Sequence, residues 1–200
     1  MNTCMFDILC VTNRKLCREN FTSRVKKISE AAPSGIILRE KDLTEAEYIV
    51  IAEEIQKICR ASDTRLIIHS FPKVAKELGC KNLHMPLPML RNMKDIDKEY
   101  FSELGCSCHN VSEAVEAEKL GCSYIIAGHI FSTDCKKGLP GRGIEFLENV
   151  CESVSIPVFA IGGIGENNIS EIRRSGANGA CIMSGFMQCE NPMELLAALK

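Results

Sequence analysis

Eight short apolar runs, each followed by a stretch with helical spacing, repeat from one end of this 200-residue chain to the other. The runs lie near residues 6–11, 35–38, 65–69, 82–85, 105–108, 124–127, 158–161 and 179–183. Helical patterns lie near 20–31, 44–60, 72–78, 89–94, 111–120, 143–153, 167–175 and 192–199. Parallel neighbours need a crossover between them, so this alternation predicts a parallel sheet with helices outside it. Eight units predict an α/β fold closed into a (β/α)8 barrel, a TIM barrel with short loops and one domain over residues 1–200. The competing open, doubly wound sheet normally carries a glycine-rich turn after its first strand. That turn here is Thr12-Asn13-Arg14-Lys15, without glycine, so a dinucleotide fingerprint is absent.

Local chemistry supports these boundaries. Thr44, followed by EAEYIVIAEEIQKICR, is an N-cap with acids in the first turn, where the helix dipole favours negative charge. Gly79, Gly121 and Gly176 each stand where a helix should stop before the next strand. The fourth crossover is weak, because Pro86 and Pro88 predict a short or irregular helix.

The formal net charge is −2 and no basic run is long enough for a nucleic-acid footprint. The opening MNTCMFDILCVTNRK lacks a positive flank before its apolar residues, and Asp7 interrupts them, so it reads as a strand rather than a signal peptide. No apolar run reaches the length of a membrane span, and a cytoplasmic protein is expected. The twelve cysteines are scattered singly through apolar segments, which predicts reduced thiols rather than a disulfide framework. The close pair, Cys106 and Cys108, should share one face of a strand and be buried.

In such a barrel the site forms where the strands end. All four histidines, His69, His84, His109 and His129, follow predicted strands. The run Gly162-Gly163-Ile164-Gly165 after the seventh strand, opening a helix at about Asn167, lets backbone amides converge on an anion. Met183-Ser184-Gly185 after the eighth adds donors and a hydroxyl at the place where many barrels hold phosphate. Arg39, Lys41 and Lys136 are placed to meet a second anionic group, whereas Lys137 and Arg142 read as a solvated rim. Cys135 reads as a packing residue, and the histidines lack the spacing of a helical zinc site. His129 follows Gly128 and faces the expected phosphate pocket; an imidazole can both accept and donate a proton near neutrality, which suits proton transfer, though a structural role at a strand end stays open.

The segments GCSCHNVSEAVEAEKLGCSYIIAGHIFSTDCKKGLPGRG and IPVFAIGGIGENNISEIRRSGANGACIMSG resemble the thiamine phosphate synthase superfamily, specifically its thiazole tautomerase branch. LREKDLTEAEY and ELGCKNLHMP extend the similarity through the first half. Synthases typically carry proline after the glycine, in a G-P-I-F-x-T-x-T-K pattern, whereas this chain has Gly128-His129-Ile130-Phe131-Ser132-Thr133-Asp134-Cys135-Lys136-Lys137-Gly138. The resemblance implies that His129 is the general acid and base, and that Arg39, Lys41, Ser107, Thr133 and Lys136 line the ligand site. It also implies that Gly163, Met183 and Ser184 hold a thiazole phosphate.

A synthase binds a pyrimidine diphosphate through magnesium, with acids after the third and fourth strands. Those places read His69-Ser70-Phe71 and Met85-Pro86-Leu87-Pro88 here. Magnesium needs hard anionic oxygens, so coupling is not expected; the resemblance to the tautomerase branch implies instead an isomerase that aromatises a carboxythiazole phosphate tautomer without metal or organic cofactor. Its partner is then that small molecule, with neither nucleic acid nor membrane, and a homodimer is compatible with a barrel of this size. Two alternatives stand beside it: a thiamine phosphate synthase, and a non-catalytic regulatory barrel that keeps only phosphate binding.

Overall fold

The eight apolar runs form eight short strands, because β-branched and apolar side chains on both faces suit a sheet covered inside and out. The computed structural model describes residues 6–133 and 138–200. Its strands are β1 Asp7–Val11, β2 Gly35–Leu38, β3 Leu66–His69, β4 Asn82–Pro86, β5 Glu103–Cys108, β6 Tyr124–Gly128, β7 Val158–Ile161 and β8 Gly179–Ile182. They run parallel in chain order and close where β8 meets β1, with Asp7 opposite Gly179 and Leu9 opposite Cys181.

The helices outside are α1 Phe21–Glu30, α2 Glu45–Ala61, α3 Pro72–Glu77, α4 Leu87–Arg91, α5 Asp95–Lys98 and α6 Val111–Lys119. After β6 come α7 Gly143–Ser153, α8 Ile169–Arg174, α9 Ser184–Gln188 and α10 Pro192–Leu199. Thr44 caps α2 in a reciprocal capping box with Glu47, and Gly79, Gly121 and Gly176 follow α3, α6 and α8 as expected. The proline-bearing fourth crossover is short and irregular, as expected: Pro86 and Pro88 open α4, where a missing amide costs nothing, and the chain breaks after Arg91 before α5. Three features depart from expectation. A 3-10 turn over Arg14–Leu16 follows β1, α8 begins at Ile169 rather than 167, and α9 is a helix the hydrophobic pattern does not announce.

Alternation along the strands divides the core into two. Leu9, Val11, Ile37, Ile67, Tyr124, Ile126, Phe159 and Cys181 fill the barrel interior. Ile8, Cys10, Ile36, Leu38 and their counterparts pack outward against the helices. Each large aliphatic side chain withdrawn from water in this way contributes about 1.5–3 kcal/mol. Cys106 and Cys108 are buried together on the outer face of β5, and the described cysteines are free thiols.

Tyr48 shows how a helix trims the barrel mouth. Its hydroxyl donates to the Leu38 carbonyl at 2.5 Å and accepts from the His69 amide at 3.2 Å, so α2 ties together the ends of β2 and β3. No helix among the described residues is long and apolar enough to cross a membrane.

Candidate active site

A cavity of about 290 Å³ opens at the C-terminal ends of the strands. Its walls bring together Arg39, Lys41, Ser107, His129, Thr133, Gly162, Gly163, Met183 and Ser184, all singled out in the sequence. His69, His84 and His109 line it too, so all four histidines meet at one mouth. Gly185 does not line the cavity; it backs onto Ile182, where an added Cβ would lie 2.8 Å from Cγ2. Lys136, with Cys135 and Lys137, lies outside the described residues.

Sequence reasoning passed over the residues that hold Arg39 and Lys41 in place. Between them Glu40 turns inward and is buried. It accepts from the Thr12 hydroxyl at 2.7 Å and from the Arg14 amide at 3.1 Å, while the Thr12 hydroxyl accepts from the Arg39 amide at 2.9 Å. The carboxylate thus fastens the end of β2 to the end of β1 and leaves its two basic neighbours lining the cavity. A buried acid between two cations is readable in the sequence only as a charge run, because its partners sit 26–28 residues away.

His129 emerges directly from β6. The strand end lies so close to β7 that a Cβ on Gly128 would fall 2.7 Å from the Ile161 carbonyl oxygen, so only glycine fits there. Past it the chain stays attached to β7, with the Ile130 amide donating to Ile161 and the Phe131 amide to Gly162 at 2.9 and 3.0 Å. The His129 imidazole is held in this corner, 6% exposed. Its Nε2 makes a long 3.5 Å contact to the Leu139 carbonyl, and its buried Nδ1 has no hydrogen-bonding partner among the described residues. A carbonyl can only accept, so the contact favours the proton on Nε2 and a lone pair on Nδ1.

The other histidines do different work. His109 donates from Nδ1 to the Gly128 carbonyl at 2.9 Å. His69 pairs through Nδ1 with Ser70 Oγ at 2.7 Å, and burial, with His84, Arg39 and Lys41 nearby, pushes its pKa far below the usual range. His84 lies between Tyr124 Oη at 3.1 Å and Ser107 Oγ at 2.8 Å, and burial followed by the Arg39 charge lowers its pKa to about 3. Both are neutral imidazoles near pH 7. Positive charge on this wall therefore comes from Arg39 and Lys41.

Opposite them, Gly162 and Gly163 take φ of 106° and 67°, left-handed values that turn the chain sharply after β7. Asn168 then braces the turn, accepting from the Gly165 amide and donating to the Gly163 carbonyl, both at 2.9 Å. The Gly165 amide is thereby consumed, and α8 and α9 are only six and five residues long. What the structure places at the expected anion cradle is accordingly a glycine turn and the Ser184 hydroxyl in the cavity wall, without a long helix behind them.

The sequence profile described as thiamine monophosphate synthase matches residues 8–186. The chain belongs to the thiamine monophosphate synthase family. Membership places it among enzymes of thiamine biosynthesis. It is 33% identical over 197 residues to thiamine-phosphate synthase 2 of Streptococcus pneumoniae serotype 4, covering 96% of this chain and 92% of that one. It is 31% identical over 193 residues to thiamine-phosphate synthase of Clostridium acetobutylicum, covering 92% and 89%. The solved thiamine phosphate pyrophosphorylase from Pyrococcus furiosus superposes with a TM-score of 0.83 at 28% identity, covering 97% and 93%.

The two sequence relatives carry the synthase name, the solved structure is called a pyrophosphorylase, and none of the three is called an isomerase. Their names favour the coupling reaction that the sequence analysis held as its alternative. Among the described residues, those lining the cavity include no aspartate or glutamate, and Glu40 is turned away toward Thr12 and Arg14. No group of three His, Cys, Asp or Glu side chains suited to a metal occurs among the described residues. Magnesium is held by hard oxygens, usually one or two carboxylates with phosphate, so the described lining residues do not fit a magnesium diphosphate.

Proposed function

We propose that this family member is a thiazole tautomerase, which aromatises a carboxylated thiazole phosphate by moving one proton. The observation that carries this reading is His129: a buried imidazole in the cavity wall whose Nδ1 has no partner among the described residues, which line the cavity without a carboxylate. The phosphate is held by Gly162, Gly163, Met183 and Ser184, and the carboxylate by Arg39 and Lys41 with Ser107 and Thr133 beside it. This fixes the ring against His129.

Nδ1 takes the proton from the ring carbon, and the electron pair released moves through the conjugated system toward the exocyclic carbon. The imidazolium then returns the proton there, so the exocyclic alkene becomes a substituent on an aromatic ring and His129 regains its starting state. Protons and charge balance without an external acid. A single histidine suffices when both carbons face it. Lys136 is assigned to the same ligand on the resemblance alone.

The purified protein, given the non-aromatic tautomer, should accelerate the rise of aromatic absorbance, and His129→Asn should not. The synthase reading, favoured by the relatives' names, is tested beside it. Coupling of a pyrimidine diphosphate to thiazole phosphate in the presence of magnesium, with no effect on the tautomer, would replace the isomerase reading.

A further inference from the structure

Tyr124 stands at the start of β6, in the lower half of the barrel, far from the residues that the sequence pattern marks as a site. Its ring nevertheless crosses the barrel interior. It lies over Gly105, where any side chain would collide with it, and packs edge-on against Phe159 with ring centroids 5.6 Å apart. Its hydroxyl ends against His84 Nδ1 at 3.1 Å, and the far nitrogen of the same imidazole meets Ser107 Oγ at 2.8 Å. Ser107 lines the ligand cavity. A continuous chain of hydrogen bonds therefore runs from the barrel interior to the cavity wall.

The chain has a direction, because each member has a limited set of donors. Among the described residues, His84 Nδ1 is the partner that the structure gives the Tyr124 hydroxyl. Were Nδ1 protonated, it would donate to the phenol oxygen and leave the phenol proton buried without an acceptor, the more costly arrangement. With the phenol donating, Nδ1 carries the lone pair and Nε2 carries the proton. Nε2 then donates to Ser107 Oγ, and the serine proton has to point away from the imidazole, into the cavity. Burial keeps His84 neutral, so the imidazole holds one proton and cannot satisfy both neighbours as a donor.

We propose that Tyr124 is a positioning residue: acting through His84, it commits Ser107 to donate its hydroxyl proton to the second anionic group of the ligand. The assignment rests on reading the cavity as the site of a carboxylated thiazole phosphate. A carboxylate only accepts hydrogen bonds, so a hydroxyl locked as donor, lining the same cavity as Arg39 and Lys41, selects ligands that carry one. A serine free to rotate would offer a lone pair as readily as a proton. The barrel interior thus contributes to ligand selection at a distance of three groups.

Two measurements test this. Nitrogen NMR of histidine-labelled protein should show His84 protonated at Nε2 in the wild type, with Tyr124→Phe losing that preference while still unfolding cooperatively, at a melting temperature lowered by several degrees for the buried nitrogen left unpaired. A wild-type His84 protonated at Nδ1 overturns the proposal, whatever reaction the protein catalyses. Calorimetry then compares carboxythiazole phosphate with the same thiazole phosphate lacking the carboxylate. Tyr124→Phe and Ser107→Ala should each weaken binding of the first about tenfold, the scale of a hydrogen bond to a charged group, and leave the second unchanged. The double variant should bind no more weakly than Ser107→Ala. Equal weakening of both ligands, or additive effects, would show a merely structural tyrosine. If the wild type binds neither thiazole, the ligand reading fails on its own, and the His84 tautomer still decides the direction of the chain.

Discussion

His109 Nδ1 donates to the Gly128 carbonyl at 2.9 Å, so the end of β5 grips the peptide that carries His129. A carbonyl accepts only, which fixes the His109 tautomer. His109→Leu removes the grip and should lower kcat for the proposed tautomerisation by roughly fivefold, in line with about 1 kcal/mol for one hydrogen bond, with a smaller change in KM. Steady-state kinetics at saturating ligand measures this; a purely raised KM would place His109 in ligand binding instead.

His129→Asn should reduce turnover by about 10²–10⁴-fold, the usual contribution of a general acid or base. Calorimetry with carboxythiazole phosphate should still show binding, because Arg39, Lys41, Gly163 and Ser184, proposed to hold the carboxylate and phosphate, follow other strands. Loss of binding together with turnover would assign His129 a structural role.

Gly128→Ala forces a Cβ to within 2.7 Å of the Ile161 carbonyl oxygen. Separation of the ends of β6 and β7 should cost about 1–3 kcal/mol, the range for overpacking. Thermal melting reads the loss, and activity should fall further than stability, since His129 moves with the strand end.

Acid should destabilise the fold through its buried histidines. His84 has a folded-state pKa of about 3, below the roughly 6.5 of an unfolded chain. Between those values the unfolded chain binds the extra proton, so stability rises with pH across that window and falls as the solution is acidified. The contribution of such a group approaches about 1.4 kcal/mol per pH unit in mid-window. His69 is shifted in the same direction, chiefly by burial. Melting temperatures from pH 7 to pH 4 should drop steeply, and His84→Gln should flatten the decline. An unchanged slope in that variant would refute the assignment.

Much of this was legible in the chain because it depended on local spacing. The eight-fold alternation, the Thr44 cap and the helix-ending glycines are matters of neighbours a few residues apart, and the structure has them where the pattern does. Placing four histidines at one mouth required only that strand ends be counted and the barrel be closed. The helix at Ser184–Gln188 escaped because five residues are too few to display a period.

By itself, then, the sequence determined the barrel, its single mouth and the absence of acids after β3 and β4, since each follows from residue type and order along the chain. Tertiary structure alone decided which side chains complete the site. Glu40 turns inward because Thr12 and the Arg14 amide satisfy its carboxylate, and Tyr124 reaches Ser107 through His84 because closing the barrel brings β4, β5 and β6 side by side. The physical reason is the range of the interactions. Propensity and capping act within a few residues, whereas a buried polar group must find its partner wherever the fold delivers one.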